Sequence, residues 1–168
     1  MSPRHVRGAA LCALAVSLPA IGQEAPVQVQ YVHAEEFADV GNRRFSDERI
    51  RAAYLEQLRS HLAKRAGSLL AAGERLSVSI TEVDMAGEFE AWRPPSGEAR
   101  IVKDIYPPRI DLRFRVSDAD GRTVREGERT LRDSAFLMRD GIDDSDPLRF
   151  EKRLLDAWLR KEFTASPG

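Results

Sequence analysis

The sequence predicts an α+β domain: a two-layer sandwich with a mainly antiparallel sheet of about four or five strands and two helices on one face. Short segments that alternate strictly between apolar and polar residues are typical of strands with one buried face and one solvated face. Two longer segments place apolar residues at helical spacing. Residues 101–131 have the pattern of an extended lead-in followed by a long β-hairpin, and the predicted order is β-α-β-loop-β-β-α.

The first strand and the first helix are predicted from the residues before position 70. Residues 27–31 (VQVQY) alternate strictly, so Val27, Val29 and Tyr31 are expected to face the core. A helix is predicted to begin at Ser46, a capping residue, with Phe45 and Ile50 spaced as a hydrophobic staple. Its expected buried face contains Ile50, Tyr54, Leu55, Leu58, Leu62 and Leu69, and Gly67 or Gly73 can end it.

A second strand and a long connection follow. Residues 76–81 alternate, which predicts a strand with Leu76, Val78 and Ile80 on its buried face. Residues 82–97 are the least regular part of the chain and are predicted to form a loop. Long loops inside a compact domain are usually functional or mobile, so this segment is the first place to look for a site.

The hairpin is the most decisive pattern in the chain. Asp118-Ala119-Asp120-Gly121 supplies the turn, with Gly121 expected at positive φ. On the return strand, Glu126 and Glu128 can face arginines across the ladder. Gly127 interrupts the alternation and is predicted to form a bulge. The expected buried face of the first hairpin strand consists of Ile110, Leu112, Phe114 and Val116.

The last helix is predicted to start at Asp146-Pro147, an acidic cap followed by proline at the first helical position. Arg160 and Lys161 suit its negative end. Trp158 is expected in the core, together with the other members of one apolar stripe: Leu148, Leu154, Leu155, Leu159 and Phe163.

The first 22 residues have the features of an export signal. Arg4 and Arg7 precede an uncharged run of about 14 residues, and Ala20 and Gly22 occupy the positions that a signal peptidase recognises. The run is shorter than the roughly 20 residues needed to span a bilayer. We therefore expect cleavage after Gly22, a periplasmic location, a single domain at residues 23–168 and no transmembrane segment in the mature form.

The composition excludes several classes of function from the predicted mature chain. Cys12 would leave with the signal, so disulfides and thiol chemistry are not expected. Loss of Arg4 and Arg7 takes the formal net charge from −1 to −3, and a chain with this charge does not attract nucleic acid electrostatically. His33 and His61 have no second histidine at metal-ligand spacing, and no hydrolase or phosphate-binding motif is present. No cofactor, metal or catalytic residue is predicted, and the oligomeric state stays open.

Two aromatic-proline pairs flank a charged bridge and are the candidate binding site. The charged bridge, with Arg100, Lys103 and Asp104, lies between Trp92-Arg93-Pro94-Pro95 and Tyr106-Pro107-Pro108-Arg109. The aromatic residues Trp92 and Tyr106 can form a platform for a glycan or peptide, while Arg93, Lys103 and Arg109 orient an anionic group. The alternative is that both aromatic rings pack as a lid over the open edge of the core.

Two other functions are compatible with the sequence. The first is a hydrolase acting on an envelope polymer, which needs two carboxylates within about 5–10 Å in a cleft. Its candidates are Glu82, Asp84, Glu88, Asp104 and Asp111. The second is a structural or assembly module that pairs through a sheet edge.

Several runs of the chain resemble one family of exported proteins of Gram-negative bacteria, a domain of unknown function numbered 3016. They are ITEVDMAGEFEAW at residues 80–92, residues 100–115, the turn and return strand at 118–133, and DPLRFEK at 146–152. The resemblance extends over residues 31–163. It implies a periplasmic protein and brings no activity, cofactor or catalytic residue. Taken with the candidate surface, it favours a non-enzymatic module that binds an envelope protein or a cell-wall fragment.

Overall fold

The computed structural model describes residues 25–37, 40, 48–89, 100–138 and 145–164. The predicted signal peptide, the Ser46 cap and its Phe45 staple lie outside these residues. Two short 3-10 turns, Ala34–Glu36 and Phe136–Met138, accompany the main elements. The main elements are β1 (Val27–Tyr31), α1 (Glu48–Gly67), β2 (Arg75–Asp84), β3 (Arg109–Ser117), β4 (Thr123–Arg132) and α2 (Arg149–Phe163).

The four strands form one mixed sheet in the order β1-β2-β3-β4. β1 runs parallel to β2, while β2–β3 and β3–β4 are antiparallel. Side chains of both helices share one core with one face of this sheet, so the predicted α+β sandwich is confirmed. Among the described helices, none has the length and apolar character needed to cross a membrane.

The buried faces follow the predicted alternation along most of the sheet. Val27 is buried and Val29 and Tyr31 pack against the core, as predicted for β1. The predicted inward residues of β2 and β3 are all at most 4% exposed: Leu76, Val78, Ile80, Ile110, Leu112, Phe114 and Val116. These side chains, together with α1 and α2, therefore exclude water from one side of the sheet.

β2 continues past its predicted end, and a bulge shifts the alternation of its buried and exposed residues. The register with β3 shifts between Ile80 and Glu82, which leaves Thr81 as the extra residue. The next inward-facing side chain after that of Ile80 is therefore that of Val83, and both side chains are fully buried. The prediction that a loop begins at Glu82 was wrong, because a strict two-residue alternation cannot continue through an extra residue.

The hairpin has the predicted turn but not the predicted bulge. Gly121 has φ of +80°, and the Asp118 carboxylate accepts the N–H groups of Asp120 and Arg122. Gly127 pairs in register with Phe114, so a bulge at Gly127 was wrong. The register shifts instead between Val116 and Ser117, next to the turn.

Gly127 has a packing role that explains its place in a regular ladder. A Cβ at this position would lie 2.7 Å from the Arg129 guanidinium and 3.2 Å from the Phe114 ring. The missing side chain leaves room for Arg129 to stack over Phe114, with 5.1 Å between the guanidinium carbon and the ring centre. The predicted cross-strand ion pairs are present on the opposite face, Arg113–Glu128 at 2.8 Å and Arg115–Glu126 at 3.2 Å.

The buried face of α1 differs from the prediction at Ile50, which is 44% exposed. Its buried stripe consists of Leu55, Leu58, Leu62 and Ala66. Steps of four residues advance about 400° around a helix, so each step drifts by about 40°. Three such steps separate Ile50 from Leu62, and the accumulated drift carries Ile50 off the core.

α2 begins at Arg149, three residues after Asp146. The Asp146 carboxylate still accepts the Leu148 N–H at 2.9 Å and binds the Lys152 ammonium at 2.7 Å. The predicted buried stripe is confirmed. Trp158 is 4% exposed and contacts the ring of Phe114 edge to face, with 5.5 Å between centroids.

Candidate functional site

The loop after β2 closes on itself at its base. Gly87 N–H donates to the carbonyl of Tyr106 at 3.0 Å, and Glu88 and Ile101 exchange two backbone hydrogen bonds of 3.0 and 2.9 Å. We call residues 85–89 and 100–106 the Gly87 stem. The stem fixes the positions at which the loop leaves and re-enters the domain.

Gly87 is required where the two halves of the stem meet. Its φ is +86°, and a Cβ on it would lie 2.8 Å from the carbonyl oxygen of Ile101. Only glycine combines a low cost at positive φ with so close an approach of two backbones.

A pocket of about 400 Å³ lies between the Gly87 stem, α1 and the start of α2. This volume falls within the range of about 300–1,000 Å³ that is usual for small-ligand sites. We call it the Arg100 pocket. Most of its wall is apolar or aromatic, and its lining consists of Ile50, Tyr54, Met85, Ala86, Phe89, Arg100, Val102, Pro147, Arg149 and Phe150.

Two arginines supply the positive charge of the Arg100 pocket, and each guanidinium lies over an aromatic ring. Arg100 is 4.6 Å from the ring centre of Phe89, and Arg149 is 4.4 Å from that of Phe150. Arg100 also donates to the carbonyls of Met85, Ala86 and Gly87 at 2.9–3.3 Å. Its guanidinium is therefore held in place by the stem.

A small second core supports the floor of the Arg100 pocket. Phe136 and Phe150 are buried and meet edge to face, with 4.9 Å between centroids, and Ala86 and Val102 complete the cluster. Arg153 donates to the carbonyl of Phe136 and approaches the Asp133 carboxylate at 3.5 Å. The 3-10 turn after β4 is thereby tied to α2.

Glu151 is fully buried behind the Arg100 pocket. One carboxylate oxygen accepts the Ala86 N–H at 2.8 Å, and the other has no hydrogen-bond partner among the described residues. Burial raises the pKa of the Glu151 carboxyl above its usual range. The hydrogen bond from Ala86 and the charges of Arg100 and Arg149 lower this pKa, but they offset the effect of burial only in part.

We expect Glu151 to make the stability of the fold decrease with rising pH. Its pKa in the folded state lies above the unfolded value of about 4.3. Its stabilising contribution is therefore complete below that pH and is lost as the pH rises through the folded-state pKa. Glu151→Gln should remove this loss, and urea unfolding at a series of pH values from 4 to 8 measures it.

The control for this experiment is Glu126→Gln, which removes an exposed carboxylate from β4. This variant should show the same decrease in stability with pH as the wild type. An unchanged pH dependence in Glu151→Gln would show that Glu151 is ionised in the folded protein despite its burial.

The structure brings together some of the residues predicted to form a binding site. The carbonyls of Lys103 and Tyr106 both accept stem hydrogen bonds, from Tyr106 N–H and Gly87 N–H respectively, each at 3.0 Å. Arg109 lies at the start of β3 and binds the Asp111 carboxylate at 2.5 Å. Trp92 and Arg93 lie outside the described residues.

Tyr106 and Arg109 line a separate depression of about 170 Å³ at the stem, and Met85 borders both this depression and the Arg100 pocket. Asp84 and Glu88 also line this depression. It is too small for a sugar ring with its neighbours, since sites for ligands of that size usually exceed about 300 Å³.

The other carboxylates proposed for hydrolysis do not meet in a cleft of the described structure. Glu82 and Asp111 are direct cross-strand partners on the solvated face of the sheet. The Asp111 carboxylate binds Arg109, and Asp104 is exposed. The arrangement therefore does not resemble an acid/base pair that encloses a glycosidic bond.

Of the two histidines in the described residues, His61 is partly buried and His33 is exposed. His61 lies 3.0 Å from the Asp156 carboxylate, which also accepts a hydrogen bond from Arg65 at 3.1 Å. His33 lies near Glu35 and Glu36, with one ligand atom from each within 4.8 Å of the others, but all three side chains are exposed. Exposed acidic groups of this kind are common without a metal.

Comparison with known families assigns the chain. A family model described as a protein of unknown function, DUF3016, matches residues 25–161. The chain belongs to the DUF3016 family. The match includes the Arg100 pocket, Glu151 and every residue of the predicted binding site. No curated protein matches the chain.

Sequence reasoning missed Glu151 of this DUF3016 domain, and it named Arg100 only as part of the charged bridge, without a binding role. The sequence did contain a sign of Glu151, which lies three residues after Leu148 and four before Leu155, on the apolar stripe of α2. An acid at that spacing points to a buried carboxyl. The sequence contains no comparable sign that Arg100 lines a pocket, because the carbonyls that hold its guanidinium belong to a segment more than ten residues earlier.

Proposed function

We propose that this DUF3016 protein is exported to the periplasm and is a non-enzymatic binding protein of the cell envelope, with the Arg100 pocket as its site. The observation that carries the proposal is a 400 Å³ pocket with mainly apolar walls and two guanidiniums fixed over aromatic rings. Such a pocket suits a ligand that carries an anionic group beside apolar surface. Envelope peptides and cell-wall fragments with carboxylates have this chemistry.

The absence of reactive groups from the described lining favours binding without chemistry. Its only hydroxyl is that of Tyr54, and it contains no carboxylate, imidazole or thiol. Nucleophilic or general acid/base catalysis needs such groups within hydrogen-bond reach of the substrate. Glu151 is not in the described lining, and one oxygen of its carboxylate accepts the Ala86 N–H, which favours a structural role for this carboxyl.

The predicted surface around the loop extends the proposed site. Lys103, Tyr106 and Arg109 lie on or next to the Gly87 stem, and Trp92 and Arg93 belong to the segment that the stem carries. A partner larger than the pocket would anchor an acidic group beside Arg100 and contact these side chains as well.

Export is testable independently of binding. We expect the protein purified from cells to be in the periplasmic fraction and to begin at Gln23, with Cys12 removed, because residues 1–22 have the pattern of a cleaved signal. Mass spectrometry of the intact protein gives the N-terminus directly.

The pocket is tested by Ile50→Asp, which we expect to abolish ligand binding without unfolding the protein. Ile50 lines the Arg100 pocket but is 44% exposed, so the substitution places a negative charge at its rim at little cost in stability. Val124→Asp is the matched control, because Val124 is also exposed and β4 contributes no residue to the described lining.

The measurement is capture from a detergent-solubilised envelope extract and a digested cell-wall preparation, followed by mass spectrometry. We expect the wild type and Val124→Asp to retain the same molecule and Ile50→Asp to lose it by at least tenfold. A Trp92→Ala variant tests whether the loop shares the site. Retention of the same molecule by all variants would refute the pocket, and turnover of the retained molecule would refute a non-enzymatic role.

A further inference from the structure

The two edges of the sheet are built differently. At the β4 edge, Arg125 and Arg129 occupy positions on the core face of the strand. Arg125 stacks on Phe163, and Arg129 binds the Glu162 carboxylate at 3.0 Å. Charged residues that point inward on an edge strand oppose the addition of another strand. These side chains also tie β4 to the end of α2, and their inward position protects this edge.

The β1 edge has no comparable protection. Residues 27–31 (VQVQY) contain no charge, proline or glycine. Among the described residues, no strand pairs with the side of β1 that faces away from β2. An uncharged strand of alternating apolar and polar residues at an open edge is a template for pairing with another strand.

The hydrogen bonds of β1 show which backbone groups point outward. Leu76 N–H donates to the carbonyl of Pro26 at 2.8 Å, and Val32 N–H donates to the carbonyl of Ile80 at 2.9 Å. Alternate residues of a strand direct their backbone groups to opposite sides, so even-numbered residues of β1 face β2. The N–H and C=O groups of Val27, Val29 and Tyr31 therefore point to the open edge.

This edge is complementary to a second copy of itself. In an antiparallel pair centred on Val29, Val29 lies opposite Val29, and Val27 lies opposite Tyr31. All of these residues have outward-pointing groups, so each opposed pair exchanges two backbone hydrogen bonds. The faces match as well, because Gln28 meets Gln30 on the solvated face while the apolar residues meet on the helix face.

A groove beside β1 can receive the apolar side chains of the second copy. It has a volume of about 600 Å³ and lies between β1 and α1, and its lining consists of Val29, Gln30, Tyr31, Ala34, Ala52, Leu55, Glu56 and Arg59. Glu56 and Arg59 give the groove one charge of each sign, so two copies meet without net repulsion. A partner strand with a strong charge of one sign would meet no opposite net charge in this groove.

We propose that two copies of this protein associate through β1, which joins their sheets into one eight-stranded sheet with the helices of both copies on the same face. A five-residue strand and its groove form a small interface. The dimer is therefore expected to dissociate in the micromolar range and to depend on concentration. This inference rests on the β1 edge and is independent of the Arg100 pocket.

Val29→Pro tests the dimer, because it removes one outward N–H while sparing the bonds from β1 to β2. Proline is tolerated at edge positions whose N–H faces away from the sheet. Sedimentation velocity from 1 µM to 500 µM should show the mass of the wild type rising toward twice that of the monomer, and Val29→Pro remaining monomeric. Ile50→Asp and Val124→Asp should dimerise like the wild type.

Hydrogen exchange of the wild type provides a second measurement that does not depend on a variant. The amide of Val29 should gain protection at least tenfold as concentration rises through the dissociation constant. The amide of Gln30, which faces β2, should be protected at every concentration. A wild type that stays monomeric up to 500 µM, or a Val29 amide whose exchange does not change with concentration, would overturn the proposal. Loss of ligand binding in Ile50→Asp leaves these results unchanged, so the two proposals fail separately.

Discussion

Trp158→Ala is expected to lower the free energy of unfolding by about 3–5 kcal/mol, because it removes a large buried ring from the contact between α2 and the sheet. Trp158 is 4% exposed, and its ring contacts Phe114 at 5.5 Å and Phe163 at 6.4 Å between centroids. The guanidinium of Arg129 lies over the same Phe114 ring, and it also binds Glu162 of α2. Loss of the indole therefore weakens β4 as well as β3.

Urea and thermal unfolding measure this effect, with a fall in midpoint temperature of about 10 °C or more. Trp158→Phe is the informative companion. It keeps an aromatic ring against Phe114 and removes an indole N–H that has no acceptor among the described residues. Trp158→Phe should lower the free energy of unfolding by less than about 1.5 kcal/mol. Met138→Ala, at a residue that is 86% exposed, should have no measurable effect.

Equal losses in Trp158→Ala and Trp158→Phe would contradict this account. They would mean that the indole N–H stabilises the fold through a hydrogen bond, and that cavity formation is the smaller effect. Stability close to that of the wild type in Trp158→Ala would mean that α2 is held to the sheet mainly by its other buried side chains.

The hairpin turn, the buried face of β3 and the apolar stripe of α2 could be predicted because local pattern and tertiary burial agree there. Alternation along β3 identifies its buried face, from Ile110 to Val116, and the turn needs a residue at positive φ that Gly121 supplies. The stripe of α2 repeats at helical spacing over four turns. In these segments each residue type suits its local geometry as well as its position in the fold.

The pairing of the strands and the bulge in β2 could not be predicted from residue patterns. An amphipathic strand such as β1 has the same alternation whether its neighbour runs parallel or antiparallel, so the only sign of its parallel pairing with β2 was the helix predicted between them. Thr81 has good strand propensity, and nothing in its own chemistry marks it as the extra residue. Gly127 did disturb the alternation, but the cause was the Arg129 side chain rather than a bulge.

The Arg100 pocket lies beside the segment in which the sequence placed its candidate site, but none of the predicted site residues belongs to its described lining. The prediction rested on aromatic and charged residues of the loop, since exposed residues of this kind often bind ligands. The Arg100 pocket depends instead on contacts between distant parts of the chain, such as Arg100 with the Met85 carbonyl and Glu151 with the Ala86 N–H. Such contacts exist only after the stem has closed.

Gly87→Ala is expected to destabilise the protein by about 2–5 kcal/mol and to abolish binding at the Arg100 pocket. The positive φ of Gly87 costs about 1–2 kcal/mol for a residue with a Cβ. The Cβ would also lie 2.8 Å from the Ile101 oxygen, and relieving such an overlap typically costs about 1–3 kcal/mol more. The backbone atoms of the stem must separate, which removes the carbonyls that hold the Arg100 guanidinium.

Gly121→Ala separates the cost of the positive φ from the cost of the steric overlap. Gly121 has nearly the same φ, +80°, but a Cβ added there would have no atom within 4 Å. Gly121→Ala should lower the free energy of unfolding by only about 1–2 kcal/mol, which is the cost of the positive φ alone, and it should leave ligand capture unchanged. Chemical denaturation of both variants gives the difference in stability, and the capture assay gives the loss of binding. If Gly87→Ala and Gly121→Ala were equally destabilised and both bound ligand, the stem would not position Arg100. The close approach of Gly87 to Ile101 would then be a feature of loop closure with no consequence for the pocket.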